Sequence, residues 1–316
     1  MKYDIIVFGG AVIDAFLELD VNESKGQICL PVDSKLLVKN LWFSTGGGGT
    51  NTAVAFSKLG LKTGFIGKLG KDENADLILE ELKKYKIDFL GKQGKEPTGF
   101  SVILDGKQKN RTILTSKEAN EHISWKDIYL NKINSMWIYF SSMSGETLET
   151  QIKLAEWASQ KGIKIAYNPS YYLCQKGAAY LKKLLRNIYV LILNEEEAKS
   201  LVGKKDLFKK IHCLGPKIVC VTRGEKGSVV SDGNYLYKAK AHKIKVREKT
   251  GAGDAFASGF VFGLMKFQNI ERAIQIGTLN AESVIQKAGA KNGLLSWSEM
   301  KREMEKKKVR VEEKNI

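Results

Sequence analysis

Thr250-Gly251-Ala252-Gly253-Asp254-Ala255-Phe256-Ala257-Ser258-Gly259 runs from a turn of small residues into an apolar helix, with Phe256, Phe260 and Leu264 spaced four apart. Gly251, Ala252 and Gly253 put little or no side chain between their backbone N–H groups and a ligand. At a helix N-terminus those groups lack intrahelical partners and add to the positive end of the helix dipole. The result is an anion hole suited to a phosphoryl group that carries negative charge in a transition state. Asp254 lies in the first turn, where a carboxylate can accept a proton from an attacking hydroxyl. The competing reading makes Asp254 a helix cap. The two differ in consequence: a lost cap costs about 1 kcal/mol, whereas a lost general base costs about 10²–10⁴ in rate.

Upstream, Thr45-Gly46-Gly47-Gly48-Gly49-Thr50-Asn51 opens a second helix. Its glycines let backbone approach a ligand closely. It is neither a Walker A loop, lacking the Gly-Lys-Ser/Thr, nor a Gly-x-Gly-x-x-Gly fingerprint, since Asn51 stands at the last Gly. A plain flexible loop is the alternative. Asn194-Glu195-Glu196-Glu197 follows a strand-like run. Carboxylates at a strand's carboxyl edge can hold Mg²⁺ or its waters, although an acidic first helical turn explains the same residues. Thr222-Arg223-Gly224-Glu225-Lys226-Gly227 also follows a strand, and reads equally as a bend around a nucleotide or as a β-turn.

Around these segments the chain alternates. Apolar runs at 5–8, 136–140, 164–167, 189–193 and 217–222 read as buried strands. Helical patterns at 50–59, 147–161 and 195–201, and one capped by Asp72 with Ala75, Ile78, Leu82 and Tyr85 on one face, fall between them. That rhythm predicts a mostly parallel sheet covered by helices. Two β-rich insertions break it. Residues 14–45 and 96–116 are expected to pair into a small lid, over a main domain formed by 1–13, 46–95 and 117–316.

Composition narrows the class further. The chain has 316 residues, 43% apolar, with four prolines, which argues for a packed core without long linkers. No apolar run approaches the ~18 residues of a membrane span, and the N-terminus has no secretory h-region. Four cysteines without a Cys-x-x-Cys pair, and three histidines, speak against zinc and a disulfide scaffold; a cytoplasmic setting fits. The net charge of +16 favours anionic ligands. The lysines are scattered without interleaved aromatics, so nucleic acid is a poor fit. The tail 301–316 reads as a solvated mixed-charge helix or frayed end.

Taken together the segments resemble the ribokinase-like, or PfkB, family of carbohydrate kinases, in order along nearly the whole chain. Gly9-Gly10-Ala11-Val12-Ile13-Asp14 resembles the family's first strand, residues 46–60 its first signature and residues 250–259 its second. Asn168-Pro169, the 194–197 segment and Thr222 to Gly227 resemble its middle landmarks. The resemblance implies a three-layer αβα fold with a β lid, MgATP, and γ-phosphoryl transfer to a small sugar-like acceptor. It implies Asp254 as base, with Gly251, Ala252 and Gly253 as the anion hole. Asp14, Gly46, Gly47 and Asn51 would hold the acceptor. Asn194, Thr222, Gly224, Gly227 and Asn280 would lie near the nucleotide, and Glu197 would act through Mg²⁺ and water.

The chain also departs from the pattern. Val12 replaces an Asn of true ribokinases, and Ser141-Ser142 stand where those offer a Glu. Glu248-Lys249 replace the Asp-Thr beside the family's activating monovalent cation, where a lysine either points away or puts its ammonium in place of the ion. Arg111, in the expected lid, pairs with an anionic acceptor or is a surface residue. A sugar or sugar-acid kinase is the main expectation, with a nucleoside kinase and a non-catalytic sensor of sugar or nucleotide as alternatives. An exposed lid edge favours a homodimer.

Overall fold

The computed structural model describes residues 2–24, 27–107 and 111–316. Among them, ten strands form one sheet in the order Val311–Asn315, Tyr235–Ala239, Ser228–Ser231, Ile218–Thr222, Val190–Asn194, Lys164–Asn168, Trp137–Ser141, Ile5–Phe8, Thr63–Ile66 and Asp88–Phe89. From Ile218–Thr222 to Asp88–Phe89 the pairing is parallel throughout. The other three strands are antiparallel. Parallel strands of this kind are buried on both faces, and Ile5–Phe8 and Trp137–Ser141 are buried at every position. One face packs on Gly48–Lys58, Glu73–Lys84, Ala252–Phe267 and Ile270–Ile285. The other packs on Glu146–Gln160, Gly177–Leu185 and Glu195–Val202. The three αβα layers follow.

The second sheet has the order Arg111–Ser116, Gly99–Asp105, Val12–Leu19, Val38–Gly46. All four strands come from the two insertions or their margins. Residues 25–26 and 108–110 of those insertions lie outside the described residues. The first six residues of the edge strand Val38–Gly46 are exposed, including Leu41, Trp42 and Phe43. Asp72 does two jobs where this sheet joins the main body. It accepts the Ala75 N–H as a helix cap, and its carboxylate also takes Thr98 N–H and Oγ1 just before Gly99–Asp105.

The tail differs from the sequence expectation. Trp297–Lys306 is a helix, but Val311–Asn315 is a strand that pairs antiparallel with Tyr235–Ala239. Its Val-Glu-Glu-Lys-Asn run lacks apolar alternation because most of it faces solvent. Backbone hydrogen bonding at the sheet edge, which composition does not report, makes it a strand.

Candidate active site

The two glycine-rich helix starts meet at the carboxyl ends of the parallel strands. Asp14, Gly47, Asn51, Glu197, Gly251 and Asp254 all line one cavity of about 440 Å³. That is the position where open α/β sheets bind ligands. Asn51, buried in the helix Gly48–Lys58, donates its Nδ2 to Asp254 Oδ2 at 2.8 Å, so the two signatures are in direct contact. Asn51 Oδ1 is buried without a partner, an acceptor in want of a donor such as a substrate hydroxyl.

The glycines of residues 46–49 serve packing more than ligand approach. A Cβ on Gly46 would stand 1.9 Å from Asp14 Oδ2, and one on Gly49 2.6 Å from the Gly9 carbonyl carbon. The glycines let the helix start seat itself on the first strand and its turn, which fixes Asp14 and Asn51 in the cavity wall. Gly48 faces inward, its Cβ position 3.5 Å from Asp254 Oδ1. In the second signature Gly251 is the N-cap, in the left-handed region at φ 76. Gly253 is different: nothing lies within 4 Å of its Cβ position, so its backbone is open to a ligand.

Burial pushes the Asp254 carboxyl up to about 6, against the Asn51 amide and Lys291, which pull it down. Burial raises Asp14 too, with the Ser101 hydroxyl and Lys291 opposing. Burial lifts Glu197 to about 7 in spite of the Asn194 N–H bonded to it. Glu197 and Asn194 form a reciprocal capping box at the start of Glu195–Val202, so the segment is an acidic first helical turn while Glu197 also lines the cavity. Asn194 pairs in register with Thr222 on the neighbouring parallel strand, which sets both at the same sheet edge. Gly224 lies in the turn between Ile218–Thr222 and Ser228–Ser231, with open space at its Cβ position. Gly227, at the end of that turn, is turned into the protein, where a Cβ would meet the Ala239 carbonyl oxygen.

Two candidate residues stand elsewhere. Asn280 is fully buried, its Nδ2 donating to the Ala255 carbonyl and its Oδ1 accepting from Leu295 N–H. It braces Ile270–Ile285 against Ala252–Phe267 and leaves no group for a nucleotide. Arg111 is partly buried, and its Nη1 is turned to partners in the main body. Its guanidinium crosses from the second sheet to Glu248 at 2.9 Å and to the Thr250 hydroxyl, at the mouth of the anion-hole turn. Burial opposes ionisation of Glu248, but Gly289 N–H, Thr250 and Arg111 more than offset it, and its carboxyl sits below the usual range. Lys249 points to solvent. Arg111→Met is expected to destabilise the fold by about 1–2 kcal/mol, below the figure for a fully buried pair because both side chains keep some exposure. Thermal unfolding checks it: adding Glu248→Gln should recover part of the loss, and an unchanged melting temperature in the single variant would refute it.

Sequence reading missed Lys117, Asn120 and Lys291. Asn120 mimics a strand neighbour, accepting Ala11 N–H and donating to Ala11 O. Lys291 is 7% exposed and donates to Thr45 Oγ1 and to Glu81. Asn120 sits in the single 3-10 turn Glu118–Glu121 and Lys291 in a loop, where no periodic pattern marks a buried residue.

This fold brings a carboxylate and two glycine-rich helix starts to one cavity, the setting expected of a phosphotransferase. Residues 4–297 match the pfkB family carbohydrate kinase. A ribokinase of Staphylococcus aureus is 28% identical over 305 residues, covering 92% of this chain and 96% of its own. A 5-dehydro-2-deoxygluconokinase of Shouchella clausii is 23% identical over 330 residues, 98% and 97% of the two chains. The structure of Arabidopsis thaliana ribokinase complexed with ribose and ATP superimposes with a TM-score of 0.81 at 22% identity, covering 96% of this chain and 98% of that one. The chain belongs to the pfkB family of carbohydrate kinases and is a sugar phosphotransferase.

Proposed function

We propose that the protein transfers the γ-phosphoryl group of ATP to a hydroxyl of a small sugar or sugar acid, with Asp254 as general base. The observation that carries this is the Asn51–Asp254 hydrogen bond, which sets the carboxylate between the acceptor wall and the Gly251 turn. Asp14 and Asn51 bind and orient the acceptor, Asn51 through its unpartnered Oδ1. Asp254 takes the hydroxyl proton as the oxygen attacks. The N–H groups of Gly251, Ala252 and Gly253 stabilise the charge on the transferring group. Positioning and charge stabilisation dominate such reactions.

The residues fit a magnesium nucleotide. Gly253 and Gly224 leave open backbone, and Asn194 and Thr222 share the adjoining sheet edge. Glu197 is a single carboxylate, which suits an ion that keeps most of its water shell. When bound, MgATP supplies the phosphoryl group and neutralises its charge. Arg111 and Glu248 hold the second sheet to the entrance of the anion hole, and Lys249 offers no ammonium there. The reading extends to a cytoplasmic homodimer joined through the second sheet, whose exposed Leu41, Phe43 and Leu114 a second copy would cover.

A coupled ADP-release assay with MgATP against sugars, sugar acids, polyols and nucleosides tests this. Turnover on a sugar or sugar acid is expected. Nucleoside turnover alone would replace the acceptor class. No turnover, with ligands still raising the melting temperature, would make the protein a sensor.

A further inference from the structure

The cavity is lined by three carboxylates, Asp14, Glu197 and Asp254, and among its described lining residues Lys117 is the one Lys or Arg. Lys117 directly follows the lid strand Arg111–Ser116 and reaches the loop after Trp137–Ser141, where its ammonium donates to Ser144 Oγ at 2.7 Å. It lies 3.9 Å from the centre of the Tyr172 ring. The nearest oxygen of Glu121 is 3.6 Å away, too far for a good hydrogen bond, and both side chains are partly exposed, so this pair is weak. An ammonium has three donors, and Ser144 takes one of them.

Beside it, Ser142 is bonded to Ser170 at 2.7 Å and to the Tyr172 hydroxyl at 3.1 Å. Ser142 and Ser170 both line the cavity beside Lys117. Burial alone would raise the Tyr172 phenol, yet Lys117, Ser142 and Ser170 bring it below its ordinary value. The wall is therefore rich in donors. A neutral sugar needs only hydroxyl partners, which the cavity offers elsewhere. An anionic acceptor among three carboxylates needs a cation, and Arg111 is not among the residues that line the cavity.

Resting on the kinase reading above, we propose that Lys117, with the hydroxyls of Ser142 and Ser170, binds an oxyanion carried by the acceptor, so that the substrate is an acidic or phosphorylated sugar. Ser144 and Tyr172 orient Lys117 from behind. Carboxylate and phosphate share this chemistry: charge-assisted hydrogen bonds to an ammonium and a hydroxyl.

The test uses fructose, fructose 6-phosphate and 2-ketogluconate, each with a free primary hydroxyl. Wild type, Lys117→Met and Lys117→Arg are compared by kcat and KM with MgATP, and by calorimetric binding without nucleotide. Wild type is expected to favour one of the two anionic compounds, and which one separates phosphate from carboxylate. Lys117→Met should lower kcat/KM for that compound roughly 10–100-fold, mainly through KM, and shrink its preference over fructose. Lys117→Arg should restore part of the preference. Equal handling of fructose and the anions by wild type, or an equal loss on all three in Lys117→Met, overturns the proposal and leaves the kinase reading standing. Anion-selective, Lys117-dependent binding without turnover supports the proposal while removing the kinase reading. Binding of none of the three overturns it.

Discussion

Replacing Asp254 with Asn is expected to lower kcat by about 10²–10⁴ while acceptor binding survives. Asn keeps the shape and an oxygen that accepts the Asn51 amide, so the loss belongs to the proton. The pH dependence gives an independent check. Asp254 accepts a proton only when ionised, and its carboxyl sits at about 6. Wild-type kcat/KM should therefore climb as pH rises through about 6 and level off above it, and the variant's residual kcat/KM should lack that limb. Stability moves the other way. A folded-state value above the unfolded one of 3.8 means that the folded chain holds the proton more tightly between the two. Stability from this group is full at low pH and lost as pH rises towards 6, so at neutral pH the ionised carboxylate is a burden on the fold. Asp254→Asn should be more stable than wild type by on the order of 1 kcal/mol at about pH 8, less than the full linkage value because the charge-assisted bond from Asn51 is weakened. A variant that is both less active and less stable would point to a structural carboxylate.

Gly251→Ala should damage both the fold and the reaction. Gly251 sits at φ 76, and an added Cβ would lie 2.6 Å from both Cα and Cβ of Ala290. Left-handed strain of about 1–2 kcal/mol combines with overpacking of about 1–3 kcal/mol, and the turn must shift. Moving an anion-hole donor costs about 10²–10³ in kcat. The acceptor KM should change little, since Asp14 and Asn51 are untouched. Gly253→Ala separates the two effects. Its Cβ meets nothing, so the helix should gain about 0.5–1 kcal/mol, yet the methyl intrudes on the space left for the phosphoryl group. Thermal melts and steady-state kinetics on both variants decide the point. A Gly253→Ala enzyme with wild-type kcat would show that the turn is not an anion hole.

The parts of the molecule legible in the sequence are those with local causes. Ala75, Ile78 and Leu82 recur at helical spacing and are buried on one face. Asp72 caps that helix as its position suggests. The apolar runs at 5–8 and 189–193 are strands because nothing polar interrupts them. Asp254 and Asn51 were legible because small residues around a polar one at a helix start have few purposes. Tertiary context hid the rest. Arg111 lies on an edge strand of the second sheet, but its partner Glu248 is 137 residues away, and no spacing announces that pair. Asn280 illustrates the converse: position along a helix says nothing of which way the amide points, and here both its ends serve packing. Lys117 and Lys291 look like any of the scattered lysines, and only the loops that fold around them distinguish them.

The bond between Asn51 and Asp254 spans 203 residues, and Lys291 reaches Thr45 across 246. Each half of the site is made by its own helix start, but neither half is a site until the two ends of the chain have docked. Loops of that length close slowly, and a chain dominated by distant pairings pays their entropy before it collects the reward. Most helices can form early, with local help, while the catalytic carboxylate still lacks its amide partner. On the role proposed for Asp254, phosphoryl transfer is confined to chains that have finished folding, and a partly assembled chain would not consume nucleotide to no purpose.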